Sequence, residues 1–256
     1  MVTFDVNIAE LATLLAIIVR LGVVLFMLPI FNSTHVPRAF KALVVVSFSV
    51  MLFPIVHGYT RPLPFDPGAL APIIVGELIF GVLFSLSMLL IVSAFQFAGD
   101  LISFMMGFGF AQTASPDGKA NDSVLSALTQ LMAFIIFLSI NGHLTVIALL
   151  VHSFKTIPVG SFAMSSDLFK RMVLLSGTLF ILAVKLAAPA LAVLLLTHIG
   201  LGLMAKFAPQ MNVIATSFPL TITIGMVFFS ITLVPWGRLG IQYFDRLFDF
   251  LKYFSR

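Results

Sequence analysis

The chain has 256 residues, of which 60% are hydrophobic and 9% charged, and a formal net charge of +4. A soluble domain carries about a quarter of its residues as charges, so this chain cannot cover its own surface in water and needs lipid or protein around it. Its 14 Lys and Arg are spread thinly, which argues against a nucleic-acid binder, and the absence of Cys excludes disulfide scaffolds, thiolate metal sites and Cys nucleophiles.

The start, Met1-Val2-Thr3-Phe4-Asp5, lacks the positive region of a cleavable signal peptide. The first apolar stretch is therefore expected to stay in the mature protein. A helix needs about 20 mostly apolar residues to cross the hydrocarbon core. Runs of this kind predict about six blocks, at 8–31, 42–56, 70–98, 124–151, 172–204 and 213–234. Polar or Pro-rich breaks separate the first five of them, at 32–41, 57–69, 112–123 and 152–171. The blocks are too long and too continuously apolar for barrel strands. The predicted fold class is an all-α membrane protein.

The third block contains Glu77 and ends near Gly99-Asp100, where a helix break is expected. Immediately after it comes an unusual run, Phe104-Met105-Met106-Gly107-Phe108-Gly109-Phe110, followed by a turn at Ser115-Pro116-Asp117-Gly118. Glycines between deformable Met and Phe groups suit an apolar plug in a pore. They equally suit a re-entrant loop or a buried helix end.

The fifth block is too long for one plain span and holds Pro189 near its middle, which predicts a kink or two half-helices. Small residues recur around it at Ala183, Ala187 and Ala190, and again at Ala188 and Ala192. That spacing allows close helix packing, although alanine is also simply common in membrane helices. The tail, 239–254, reads as an amphipathic helix with Gln242, Asp245, Arg246, Asp249 and Lys252 on one stripe. It would lie in the membrane interface, pack on a partner, or cap its own bundle. Arg38 and Lys41 in the first loop favour an outside N-terminus, whereas Arg238, Arg246, Lys252 and Arg256 favour a cytoplasmic C-terminus. An even number of full crossings cannot satisfy both signals, and the tail is the stronger one.

Ionisable residues inside apolar blocks are costly and mark function or pairing. Here they are Arg20, Glu77 and Lys185, with Asp100 at a block end. They fit a proton or ion path, or charge pairs that hold helices or subunits together. The pairing reading is preferred, because no face carries several closely spaced carboxylates. Hydrolase, zinc-protease and phosphate-loop signatures are missing. His35, His57, His143, His152 and His198 show no ligand spacing. Neither an enzyme nor a metal or cofactor site is expected.

Several motifs together resemble the FliR family of flagellar type III export-gate subunits. They are Arg20-Leu21-Gly22 with Leu28-Pro29-Ile30-Phe31, Gly76-Glu77-Leu78-Ile79-Phe80-Gly81 and Ala98-Gly99-Asp100 through Gly107-Phe108. To these add Phe137-Leu138-Ser139-Ile140-Asn141-Gly142-His143, Ile157-Pro158-Val159-Gly160, and Ala188-Pro189-Ala190 to Ala208-Pro209-Gln210-Met211-Asn212. The matches run almost end to end and in order. The resemblance implies a non-enzymatic subunit at the flagellar basal body in the bacterial inner membrane, which helps form and seal a channel for unfolded flagellar proteins. It implies P and Q subunits and a B-type switch subunit as partners, with energy from partners and the proton gradient. It also implies a P-like part over 1–170, a Q-like helical hairpin over 171–234, a tail over 235–256, and a plug over 104–118. Some helices would be kinked or half-spanning, and Arg20, Glu77 and Lys185 would face other subunits. A stand-alone ion or small-molecule transporter is the competing reading, weakened by the lack of an inverted repeat.

Overall fold

A computed structural model describes residues 8–28, 37–60, 63–64, 66–108, 123–208, 210 and 213–254. Most of the described residues are helical and none lies in a strand. The helices are α1 (Ile8–Met27), α2 (Arg38–His57), α3 (Pro67–Met106), α4 (Val124–Ser139), α5 (Gly142–Thr156), α6 (Ser166–Phe207) and α7 (Val213–Phe254). Five are long and apolar enough to cross a membrane, and six spans result if the bent pair α4–α5 is counted as one. The chain is therefore an all-α membrane protein, as its composition requires.

Helix starts follow local chemistry. Asp66 precedes Pro67 and its carboxylate accepts the Ala69 N–H at 3.2 Å, a cap followed by proline at the first helical position. Ser123 caps α4 by accepting the Ser126 N–H at 3.0 Å, and Ser165 caps α6 by accepting that of Leu168 at 3.1 Å. Inside the helices, Ser and Thr hydroxyls turn back onto their own backbone. Ser49 donates to the Val45 carbonyl at 2.7 Å and Thr197 to that of Val193 at 2.9 Å. Most hydroxyls in an apolar helix are satisfied in this way by the helix's own backbone.

The structure departs from the predicted elements at three places. The fourth block splits, because Asn141 adopts a left-handed conformation with φ 54°. Its carbonyl starts α5 by accepting the N–H groups of Leu144 and Thr145. Asn tolerates that region better than other non-Gly residues. No break occurs at Asp100, since α3 runs on to Met106. Nor does Pro189 divide the fifth block: α6 is one helix of 42 residues, and α7 continues through Pro219 and Pro235 into the tail. Each internal proline removes one backbone hydrogen bond, and the neighbouring bonds and side-chain packing carry the helix across the gap.

Two compact units divide the chain. One comprises Met1–Leu90, Asn141–Ser176 and Asp245–Arg256, and the other Ile91–Ile140 and Gly177–Phe244. In the first, α1 packs along α2. The buried side chains of α1 (Ala12, Ala16, Ile17, Arg20, Leu21, Val24) fall on one face, with successive turns related by three or four residues. In the second, α3 meets α4 at Gly99, where a Cβ would strike Thr129 Oγ1 and the Ser126 backbone. Trp236 is wholly buried there, edge-on to Phe95 and Phe229, and its indole N–H donates to the Leu186 carbonyl at 3.1 Å.

The tail end of α7 has an exposed and a buried face. Gln242, Asp245, Arg246, Asp249 and Lys252 are exposed, while Tyr243, Phe244, Leu247, Phe248 and Leu251 are buried. Its last turn is tied within the first unit, where the Tyr253 hydroxyl donates to Asp167 at 2.9 Å and the Arg171 guanidinium lies 4.0 Å above the Tyr253 ring.

Glycine substitutions distinguish close packing from open surface. Gly99→Ala should destabilise the protein by about 1–3 kcal/mol through overpacking. Gly177→Ala, where a Cβ meets nothing within 4 Å, should stabilise by about 0.5–1 kcal/mol through helix propensity. Thermal unfolding in detergent should show the opposite signs.

Candidate functional site

In the first unit the structure brings Arg20 and Glu77 together. Both lie on the buried faces of their helices and both side chains are fully buried. The guanidinium forks onto the carboxylate: Nε donates to Oε2, and Nη2 to Oε1 at 3.0 Å. Nη1 continues to the Ile157 carbonyl at 3.1 Å and reaches Ser153 Oγ at 3.4 Å. Glu77 Oε1 also accepts the Gly160 N–H at 2.9 Å. Two aromatic rings pack on the guanidinium, with Cζ 4.5 Å from the centroids of Phe80 and Phe154. Gly160 has φ +80°, a conformation open to glycine and strained for other residues.

The pair therefore joins α1, α3, the end of α5 and the 157–160 turn. Planar bidentate pairing and ring stacking both require Arg rather than Lys. Both charged groups are engaged within the chain itself, where the resemblance implied contact with other subunits. The arrangement is a clasp that fixes helix register.

The second unit holds Asp100 and Lys185 in separate surroundings. Asp100 is partly exposed and accepts from Ser123 Oγ at 3.3 Å. Lys185 is exposed on α6, and its ammonium lies 3.4 Å from the Tyr243 hydroxyl and 6.0 Å from that ring's centroid. Ala183, Ala187 and Ala190 line the buried face of α6 with Leu182, Leu186 and Leu194. Pro189, Ala188 and Ala192 lie on the exposed face.

Of the Met/Phe/Gly run, Phe104, Met105 and Met106 form the last turn of α3, while Gly109 and Phe110 lie outside the described residues. Phe104 is 71% exposed and Met106 wholly buried. Met106 is seated on α7: its carbonyl accepts from Thr221 Oγ1 at 3.1 Å, and its side chain fills the space that a Cβ on Gly225 would take. Gly107 follows with φ +92°, and a Cβ there would meet the Phe218 ring. Phe108 is half-buried.

Sequence reasoning missed this notch of Phe218, Thr221 and Gly225, the Trp236 indole on Leu186, and the rings around Arg20. A single Trp in an apolar block was a usable signal for a buried anchor. The notch offered none, because Thr and Gly are ordinary membrane-helix residues. Among the described residues no three His, Asp or Glu side chains gather as a metal site.

Breaking the clasp from one side leaves a buried unpaired charge, at a cost of about 3–5 kcal/mol. Glu77→Ala and Arg20→Ala should each lower the yield of folded protein. The double variant Arg20→Met with Glu77→Leu should be more stable than either Ala variant. Unfolding midpoints in detergent check this, and equal losses for all three variants would contradict the clasp.

Comparison with known proteins gives the site its context. The family of bacterial export proteins, family 1, matches residues 11–247. The flagellar biosynthetic protein FliR of Aquifex aeolicus is 31% identical, covering 96% of this chain and 93% of that protein. FliR of Escherichia coli K12 is 30% identical over 77% of this chain and 75% of its own length. FliR of Pectobacterium carotovorum is 29% identical over 91% and 88%. A match of this extent, on a chain with several membrane-crossing helices, means that the chain belongs to the bacterial export proteins, family 1, as a multi-pass inner-membrane subunit of the flagellar type III export apparatus.

Proposed function

We propose that the chain is a structural and gating subunit of the flagellar export channel, without enzymatic activity, and that the segment 104–118 is its plug. The observation that carries this reading is the seat of Met106 and Gly107 on α7. A plug must be rooted so that its tip holds a fixed place, and Thr221, Gly225 and Phe218 supply such a root. The exposed Phe104 one turn earlier offers an apolar surface to a pore lining.

Helix length supports the same reading. At 1.5 Å per residue, the 40 to 42 residues of α3, α6 and α7 span about 60 Å. The hydrocarbon core is about 30 Å thick. Even a tilt of about 40° leaves roughly a third of such a helix outside it. Protein partners are the natural cover for apolar helix beyond the bilayer, and we assign that role to P and Q subunits and a B-type switch subunit. In this scheme residues 1–170 correspond to a P-like part, 171–234 to a Q-like hairpin and 235–256 to the tail. Lys185 and Asp100 then face neighbouring subunits.

Two measurements test the proposal. A complex purified through a C-terminal tag should have a mass several times 27.9 kDa and hold one copy of this chain with small two-helix and larger helical partners. A partner-free monomer or homodimer at native expression would point to a stand-alone transporter. Deleting 105–110 should make membranes that overproduce the complex leaky to small solutes. Unchanged leak and unchanged export would remove the plug assignment.

A further inference from the structure

The connection between α5 and α6 borders a cavity of about 340 Å³ that lies wholly within the first unit. Its deeper lining is apolar: Leu168 is buried, and Ile157 and Phe162 are half-buried. Its outer lining is polar and exposed, formed by Ser161, Ser165, Asp167 and Tyr253. Two sets of contacts hold these walls in place. Arg20 donates to the Ile157 carbonyl at 3.1 Å and Glu77 accepts the Gly160 N–H at 2.9 Å, so the buried ion pair anchors one side. The Phe162 ring lies edge-on to Phe80, with 5.5 Å between centroids. On the other side the Tyr253 hydroxyl and Arg171 Nε both donate to Asp167 Oδ2 at 2.9 Å. Walls fixed beforehand reduce the ordering cost of binding.

The lining selects a class of ligand. Asp167 is its one charged residue and is paired with Arg171, so the cavity favours neither a cation nor an anion. Ser161 Oγ donates to the Pro158 carbonyl at 2.6 Å, and its oxygen can still accept. Ser165 Oγ accepts the Leu168 N–H at 3.1 Å, and its hydroxyl can still donate. A donor and an acceptor above an apolar floor complement a peptide unit that carries an apolar side chain. Ala163 and Met164 lie between the two serines, exposed and outside any helix. Their N–H and C=O groups make no main-chain hydrogen bond among the described residues. Such groups pair with an extended chain laid beside them, while a neighbouring pocket takes its side chain.

We infer that this cavity is a contact site for the exported polypeptide, which binds as an extended unfolded segment with one apolar side chain in the cavity and its main chain along Ser161–Ser165. The inference rests on the export-gate reading and adds a substrate contact to it. A channel for many different proteins needs contacts that read main chain and tolerate varied side chains. A roomy cavity beside open main-chain groups meets that need, whereas a close-packed subunit interface selects one shape.

Photo-cross-linking tests it. A benzophenone amino acid replaces the exposed Met164 in the full chain, in membranes carrying the whole export apparatus. The ligand is an exported flagellar protein fused to a tightly folded domain, so that it stalls in the channel. Irradiation should join position 164 to an apolar segment of the stalled protein. Ala163→Phe, which places a ring in the cavity, should lower the adduct per assembled complex at least about tenfold, the loss expected for one apolar side chain. Tyr253→Ala, which removes a wall, should act in the same direction and serves if the Phe variant does not assemble. An adduct with another export subunit or with lipid, in place of the stalled protein, overturns the inference. So does an adduct with the stalled protein that neither substitution lowers. If the apparatus holds the stalled protein and position 164 forms no adduct with it, the cavity's role fails and the export-gate reading stands. If no complex containing this chain retains the stalled protein, the export-gate reading fails and the inference falls with it.

Discussion

The first unit depends on keeping one ion pair out of both water and lipid. Arg20 and Glu77 are placed where neither solvent nor headgroup reaches, so each must be satisfied by protein. Desolvation of this kind is repaid only when geometry is good and the remaining polar atoms are bonded. Here the fork, the Ile157 carbonyl, the Gly160 N–H and the two flanking rings meet that condition together. Such an arrangement tolerates little sliding. A helix shifted by one residue would turn its charge by about 100° into apolar surroundings, so the pair sets the register of α1 against α3 where apolar contacts alone would allow several.

The second unit is organised differently. Its contacts are close backbone approaches made possible by glycine: Gly99 under Thr129, Gly225 under Met106, and Gly240 against Phe95 and Ile136. With lipid outside, apolar burial gives helices little reason to associate, and close packing takes over as the source of attraction. Trp236 complements this by filling the largest buried volume and lending its N–H to a carbonyl near Pro189. Two charges of this unit, Asp100 and Lys185, are partly or fully exposed and lie away from its close-packed seams.

Extensive apolar exposure belongs to the same design. On α2, Phe40, Leu43, Val50 and Met51 stand out, as they would on no water-soluble helix. Such surface needs lipid or protein around it. Helices twice as long as a bilayer is thick cannot rely on lipid alone. That constraint is consistent with a chain that functions as a component of an export apparatus.

Class, the number of candidate spans and approximate helix position were legible in the sequence, because the transfer energy of about 20 apolar residues sums over the whole run and needs no knowledge of neighbours. The polar stripe of the tail was legible too, since Asp245, Arg246, Asp249 and Lys252 alternate with leucines and aromatics at helical spacing. In contrast, the continuity of α6 through Pro189 and the break at Asn141 depended on what packs alongside. The pairing of Arg20 with Glu77, 57 residues apart, and the seat of Met106 on Thr221 and Gly225 were likewise decided only by the tertiary structure. The physical reason is that α3 and α6 are apolar all round. With no polar face to orient them, their own sequences leave the choice of buried side to the shapes and charges of the helices they meet.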